Sequence, residues 1–299
     1  MQDFARRAGG WGVALGAALA LVSMGAETAF AAAHVKKVAE KTFEFAPNGV
    51  VSIESRNGRI VIEAWDRPEV RIQITRDVRA ADDAQAQALL KELKADVELT
   101  PGRLEIVSRY PKRRENLGLW DFLGRKVAAV DIHYYLQVPK STAVTLQTAN
   151  GEIRVRGTTR SVEASTTNGD ISVSGASGPV EVETTNGELK LLAISGDVTG
   201  TTTNGSVQVE IGSLAANGQV ELQTTNGNVS VYLPSSLKAS VAATTTNGKV
   251  TSSFPLTLNG AVTSKSIRGT IGGGKGAALA FTTTNGNIQM LKIGERSEP

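Results

Sequence analysis

The 299-residue chain contains no cysteine. That absence excludes disulfides, a thiol nucleophile and lipid attachment through a lipobox cysteine. Histidine is nearly as scarce: His34 and His133 are too few for a three-histidine zinc centre, so no metal or cofactor is expected. Aromatic residues make up 5% of the chain while hydrophobic residues reach 40%, which suits a β protein cored by Val, Ile and Leu. An excess of charge is missing too. A net charge of +3 over this length lacks the concentrated Lys and Arg of nucleic-acid binders, and no nucleic-acid partner is expected. There is no Gly-x-Ser-x-Gly elbow, and Gly272-Gly273-Gly274-Lys275-Gly276 lacks the spacing and following Ser/Thr of a phosphate loop, so it reads as a corner.

Long hydrophobic runs are also absent, with one short exception near the start. Arg6 and Arg7 precede the apolar stretch Trp11 to Val22, and Ala29-Phe30-Ala31 has the small-x-small form of a cleavage site. The stretch is short for a membrane span, which needs about 20 residues. Residues 1–33 are therefore read as a signal peptide cut after Ala31 or Ala33, with an uncleaved anchor as the alternative. An exported protein of the periplasm or cell surface is expected.

What the chain has in abundance is repetition. Asn-Gly recurs at Asn57, Asn150, Asn168, Asn186, Asn204, Asn226, Asn247 and Asn285, mostly after threonine and before alternating apolar residues. From Asn150 to Asn204 the step is 18 residues, followed by 22 and 21 and then 38, which fits two steps near 19. A fixed period near 20 marks a solenoid whose units bury their apolar faces against neighbours. Three residues after each of these asparagines stands Ile, Leu or Val, and five after stands another apolar residue, except at Ser252. Each unit reads as strand, Gly-rich corner, strand, Asn-Gly corner.

Asn-Gly between alternating runs is equally a hairpin signal, since a type I′ turn needs positive φ at both positions. A solenoid is preferred because corner residues repeat in identity, which gains stability only if copies stack into ladders. The expected ladder comprises Asn150, Asn168, Asn186, Asn204, Asn226, Asn247 and Asn285. The fold class is thus all-β, a β-solenoid of 18–22-residue coils with one inserted helix. Residues 34–139 form an N-terminal coil with the helix-bearing insertion, 140–294 the repeat and 295–299 a tail.

Two segments interrupt the repeat. Asp82 to Ala95 lacks Gly and Pro, starts with Asp82 and Asp83, and sets Ala86, Leu89, Leu90 and Leu93 on one stripe, which predicts a helix. It is expected to pack on the solenoid's end or side; a lid over a ligand is the alternative. Lys41 to Phe45, Leu104 to Ser108 and Val130 to Val138 read as strands. Pro111 to Val127 joins Lys112, Arg113, Arg114, Arg125 and Lys126 to Leu117, Trp120, Phe122 and Leu123. It reads as a plug over the core or as a surface for anionic lipid or acidic polymer. Arg113, Arg114, Trp120 and Phe122 are the candidate binding residues.

The run Asn57 to Asp66, the strand closing on Val138-Pro139 and the Thr-x-Asn-Gly-x-Ile/Val-x-Val units resemble the bacterial putative-adhesin family, a domain of unknown function, from about Phe43 to Ile293. The resemblance implies a leader or anchor, a right-handed β-solenoid, an envelope location and a structural or adhesive role without catalytic residues. The basic aromatic insertion and Ser252 depart from the pattern.

The function expected is an exported, non-catalytic envelope scaffold or adhesin-like binding protein, its partner unknown among envelope glycan, anionic lipid or another envelope protein. A polysaccharide lyase or hydrolase on the same fold is the alternative, and would need paired carboxylates. Glu152, Asp170 and Glu188 follow Asn-Gly in successive coils and could hold Ca²⁺, but other residue types replace them elsewhere, which favours plain surface charge. Thr201-Thr202-Thr203, Thr244-Thr245-Thr246 and Thr282-Thr283-Thr284 raise ice binding, against the simpler reading of threonines suited to strand ends.

Overall fold

The computed structural model describes residues 33–111, 129–158, 160–259, 263–273 and 276–295. Within them, 23 strands and one helix form two large sheets of twelve and eleven strands. The alternation of the repeat explains the pairing. Val180–Asn186 lies in the twelve-stranded sheet with Val180, Val182 and Thr184 turned inward, and Leu189–Ile194 lies in the eleven-stranded sheet with Leu189 and Leu191 turned inward. Equivalent strands pair in parallel and in register: Val180 aligns with Val162 on one side and Val198 on the other. The inward side chains fuse into one hydrophobic core running the length of the stack. The chain is a β-solenoid.

The 18-residue coils turn through short corners, whereas the wider steps come from longer ones, at 212–218 after Ile211 and at 234–238 after Leu233. The 38-residue step is not two coils, contrary to expectation. Its interior forms Leu256–Leu258 and Ser266–Ile271, which run antiparallel at the edge of the twelve-stranded sheet, beyond Ala239–Asn247. The chain then doubles back. Ala277–Asn285 pairs with Gln219–Asn226 on one side and Ala239–Asn247 on the other, so the last coil in sequence sits inside the stack. Its second strand, Ile288–Lys292, likewise lies between Val229–Leu233 and Val250–Ser252. Ser252 breaks the apolar pattern because this coil ends the stack; buried Phe254 follows, its amide donating to the Ser252 hydroxyl.

The other end is built the same way. Val50–Glu54 and Ile60–Trp65 are flanked by Ala143–Asn150 and Ile153–Arg156 on one side, and by Arg103–Arg109 and Ala129–Pro139 on the other. Antiparallel strands finish this end: Lys94–Thr100 in one sheet, Glu69–Ala80 and then Ala33–Glu44 in the other. Ala33–Glu44 is longer than the strand expected at Lys41 to Phe45, and Phe45 is buried just beyond it.

The helix spans Asp83–Glu92, with the Asp82 carboxylate accepting the Gln85 amide at 2.7 Å as N-cap. Ala86, Leu90 and Leu93 are buried and Leu89 is half-buried against the core. The helix lies against Ala33–Glu44 and Glu69–Ala80, at the stack's end. It stops three residues short of the expected Ala95, because Lys94–Thr100 pairs with Arg103–Arg109 instead.

Candidate binding surfaces

Each position of Thr-Thr-Asn-Gly has a distinct physical task. The first threonine is buried and its hydroxyl donates to a glycine carbonyl of a neighbouring corner: Thr184 to Gly169 at 3.0 Å, Thr202 to Gly187 at 3.1 Å, Thr224 to Gly205 at 2.9 Å. The second threonine is exposed. Every corner asparagine from Asn150 to Asn285 donates its Nδ2–H to the Oδ1 of the neighbouring asparagine in the file, at 2.8 Å. The file runs Asn57, Asn150, Asn168, Asn186, Asn204, Asn226, Asn285, Asn247. All eight amide dipoles point one way, so each bond polarises the next.

The glycine answers a close approach between coils. A Cβ on Gly187 would lie 2.0 Å from the Gly169 carbonyl oxygen, and one on Gly205 would lie 1.9 Å from that of Gly187. A hairpin turn is not what the pair encodes. Asn48 and Ala193 are the non-glycine residues with positive φ among those described, and neither belongs to the corner repeat.

The position after Asn-Gly also serves the stack. Asp170 Oδ1 accepts the Glu188 amide at 2.8 Å, Asn228 Oδ1 the Asn287 amide at 2.8 Å, and Asn287 Oδ1 the Lys249 amide at 2.9 Å. Any short acceptor satisfies this role, which accounts for the exchange of Asp, Asn and Ser there. Glu152 pairs instead with Arg59 and Arg154. Among the described residues no group of three or more His, Asp or Glu is arranged to hold a metal ion.

Outside the corner, the twelve-stranded sheet presents Thr167, Thr185, Thr203, Thr225, Thr284 and Thr246 as one exposed column. The next outward column is mixed: Ser165, Glu183, Thr201, Gln223, Thr282 and Thr244. The charged and amide side chains in it break up the flat two-column threonine lattice that ice binding requires.

Sequence reasoning missed a polar cluster at the Asn57 end. The Tyr134 hydroxyl meets Ser108 Oγ at 2.6 Å, Ser108 donates to Ser55 Oγ at 3.1 Å, and Ser55 meets the Tyr110 hydroxyl at 3.0 Å. Tyr110 in turn donates to the Asn57 carbonyl at 2.6 Å and accepts the Asn57 amide at 2.8 Å. The Arg56 guanidinium stacks 5.2 Å from the Tyr110 ring centre. Tyr134 is buried, and burial pushes its phenol well above the ordinary tyrosine range. Its partners lie far apart in sequence, so no local signal announces them.

On the eleven-stranded sheet, the Tyr135 hydroxyl donates to Glu63 at 2.6 Å, which raises its pKa, and Arg156 flanks the same carboxylate at 3.4 Å. His133 Nδ1 accepts the Arg59 amide at 3.0 Å, and His34 pairs with Asp77 at 2.9 Å. The two histidines thus have separate partners. A cleft of about 320 Å³ lies between the 212–216 and 234–238 corners and is lined by Gly, Ser, Ala, Leu and Pro with Lys238, with no carboxylate in its lining. Arg113, Arg114, Trp120 and Phe122 fall outside the described residues.

Fold and corners together define a two-sheet β-solenoid held coil to coil by its repeat side chains. The chain belongs to the Toastrack DUF4097 family, whose model matches residues 51–291. No curated protein matches it. Among solved structures it is similar to a putative cell adhesion protein from Clostridium sporogenes, at 15% identity and TM-score 0.34, covering 86% of this chain and 100% of that one. A putative adhesin from Bacteroides fragilis is similar at 12% identity and TM-score 0.44, covering 85% and 97%. A putative lipid binding protein from Parabacteroides distasonis is similar at 10% identity and TM-score 0.30, covering 86% and 95%.

Proposed function

We propose that this is an exported, non-catalytic envelope protein whose solenoid is a rigid scaffold for binding. The N-terminal segment is the leader that directs export, to the periplasm or cell surface, and cleavage after Ala31 or Ala33 leaves a mature chain beginning at Ala32 or His34. One observation carries the reading: the buried threonine, the asparagine and the acceptor after the glycine are all engaged with neighbouring coils. A repeat so occupied supplies rigidity rather than chemistry. The enzyme alternative needs carboxylates converging on a groove. The lining of the cleft between the 212–216 and 234–238 corners offers none.

Binding then falls to what interrupts the repeat. Arg113, Arg114, Trp120 and Phe122 combine guanidinium and aromatic groups suited to an anionic glycan or lipid headgroup. In the sequence their segment follows Tyr110, whose hydroxyl accepts the Asn57 amide. Retention of the mature chain on anionic liposomes and on envelope polysaccharide, compared with Trp120→Ala and Arg113→Ala/Arg114→Ala, tests the assignment. Loss of retention with an unchanged melting temperature is expected. Full retention by both variants would move the binding surface elsewhere.

A further inference from the structure

The asparagine file ends on the Val130 carbonyl at one end and with no further asparagine at the other, where the Thr245 and Val250 amides donate to the Lys265 and Ser264 carbonyls on either side of the Asn247-Gly248 corner, and the difference is chemical. An Asn-Gly pair is prone to lose its side-chain amide: the glycine backbone nitrogen attacks the asparagine Cγ, ammonia leaves, and a cyclic succinimide forms. Water then opens the ring to aspartate or isoaspartate. The attack needs a free glycine N–H and an asparagine side chain able to rotate toward it. The solenoid withholds both at interior positions. Gly169 N–H donates to the Asn186 carbonyl at 3.0 Å, Gly187 to Asn204 at 3.0 Å and Gly286 to Asn247 at 3.0 Å. The side-chain amide is held from both sides, as at Asn186, which donates to Asn168 and accepts from Asn204.

Asn57 is protected as well. Its Nδ2 donates to the Val130 carbonyl at 3.3 Å, its Oδ1 accepts from Asn150 at 2.8 Å, and Gly58 N–H donates to the Asn150 carbonyl at 2.8 Å. Asn247 differs. It is exposed, its Nδ2 donates to Asn285 at 2.8 Å, and beyond it there is no further asparagine to engage its Oδ1. Among the described residues the Gly248 N–H, whose counterparts all bond the next corner, has no acceptor.

The geometry points to Asn247-Gly248 as a built-in modification site, the one corner of the eight at which spontaneous succinimide formation converts asparagine to aspartate or isoaspartate in the folded protein. Conversion removes the only donor that Asn247 gives to Asn285 and places a carboxylate against the Asn285 Oδ1. An isoaspartate also adds a backbone atom at the corner. Either product loosens the coil that ends the stack.

The mature protein is incubated folded in mildly alkaline buffer prepared in ¹⁸O-water, digested at acid pH, and mapped by mass spectrometry at all eight corners. The ¹⁸O label separates conversion in the folded state from conversion during digestion. Asn48-Gly49, Asn217-Gly218 and Asn259-Gly260 lie outside the file and are scored apart. Asn247 is expected to convert on the order of tenfold faster than each of the other seven, since those must first break additional hydrogen bonds. A parallel incubation in urea is expected to level the eight rates. Equal conversion in the folded protein, or faster conversion at any other corner, overturns the assignment. So does the same ranking in urea, because local sequence rather than the fold would then set the order. In Asn247→Asp, hydrogen exchange is expected to rise across Thr244–Ser252; unchanged exchange would refute the loosening.

Discussion

At the scale of the residue, adjacent threonines of identical chemistry have opposite fates. Thr184 is buried with its hydroxyl on the Gly169 carbonyl, while Thr185 faces solvent. Thr184→Val keeps the shape and leaves that carbonyl without its donor, so a loss of about 1–3 kcal/mol is expected. Thr185→Val is expected to stay within about 0.5 kcal/mol. Urea unfolding of the two variants checks the pair, and equal losses would contradict the corner assignment. Tyr134 gives a pH signature. Burial raises its pKa, so the folded protein holds the phenolic proton more tightly than the unfolded chain does. Its contribution is complete below the unfolded value, about pH 10, and drains away as pH climbs above it. Melting temperature measured against pH is expected to fall on the alkaline side, and to fall less steeply in Tyr134→Phe.

At the scale of the element, the intercalated coil makes a sharper demand. Ala277–Asn285 and Ile288–Lys292 each have a strand on both sides, so a chain ending at Gly276 opens a slot. Stability in a stack passes between nearest neighbours. Hydrogen exchange in that truncation is expected to rise across Gln219–Leu233 and Ala239–Ser252 and to remain slow across Ala143–Ile211. A uniform rise along the chain would contradict the stacking order. This is also where reading from sequence stopped short. The coil and its alternation were legible because corner side chains touch their own copies, which makes identity at a fixed period a record of contact. The order of the last two coils was not. Asn247 and Asn285 follow the same Thr-Thr-Thr, and either would fit the place next to Asn226. The helix start was legible in Asp82 and Asp83, but its end was set by the pairing of Lys94–Thr100, a tertiary contact with no local mark. The Tyr134 cluster was hidden for the same reason, its hydroxyls being contributed by Ser55, Ser108 and Tyr110.

At the scale of the whole molecule, the stack has direction. The asparagine file begins at Asn57, anchored by Val130 and Tyr110, and ends at Asn247. Both ends replace parallel edges with antiparallel strands in the twelve-stranded sheet, Lys94–Thr100 at one and Ser266–Ile271 with Leu256–Leu258 at the other. The result is a stack whose repeat residues hold the coils together. The claim that this body binds without reacting is tested most directly by incubating the mature protein with envelope polysaccharide and following bound protein and released reducing ends in one experiment. Saturable binding with no reducing ends above the protein-free control is the predicted result. Reducing ends that accumulate in proportion to protein concentration would contradict it.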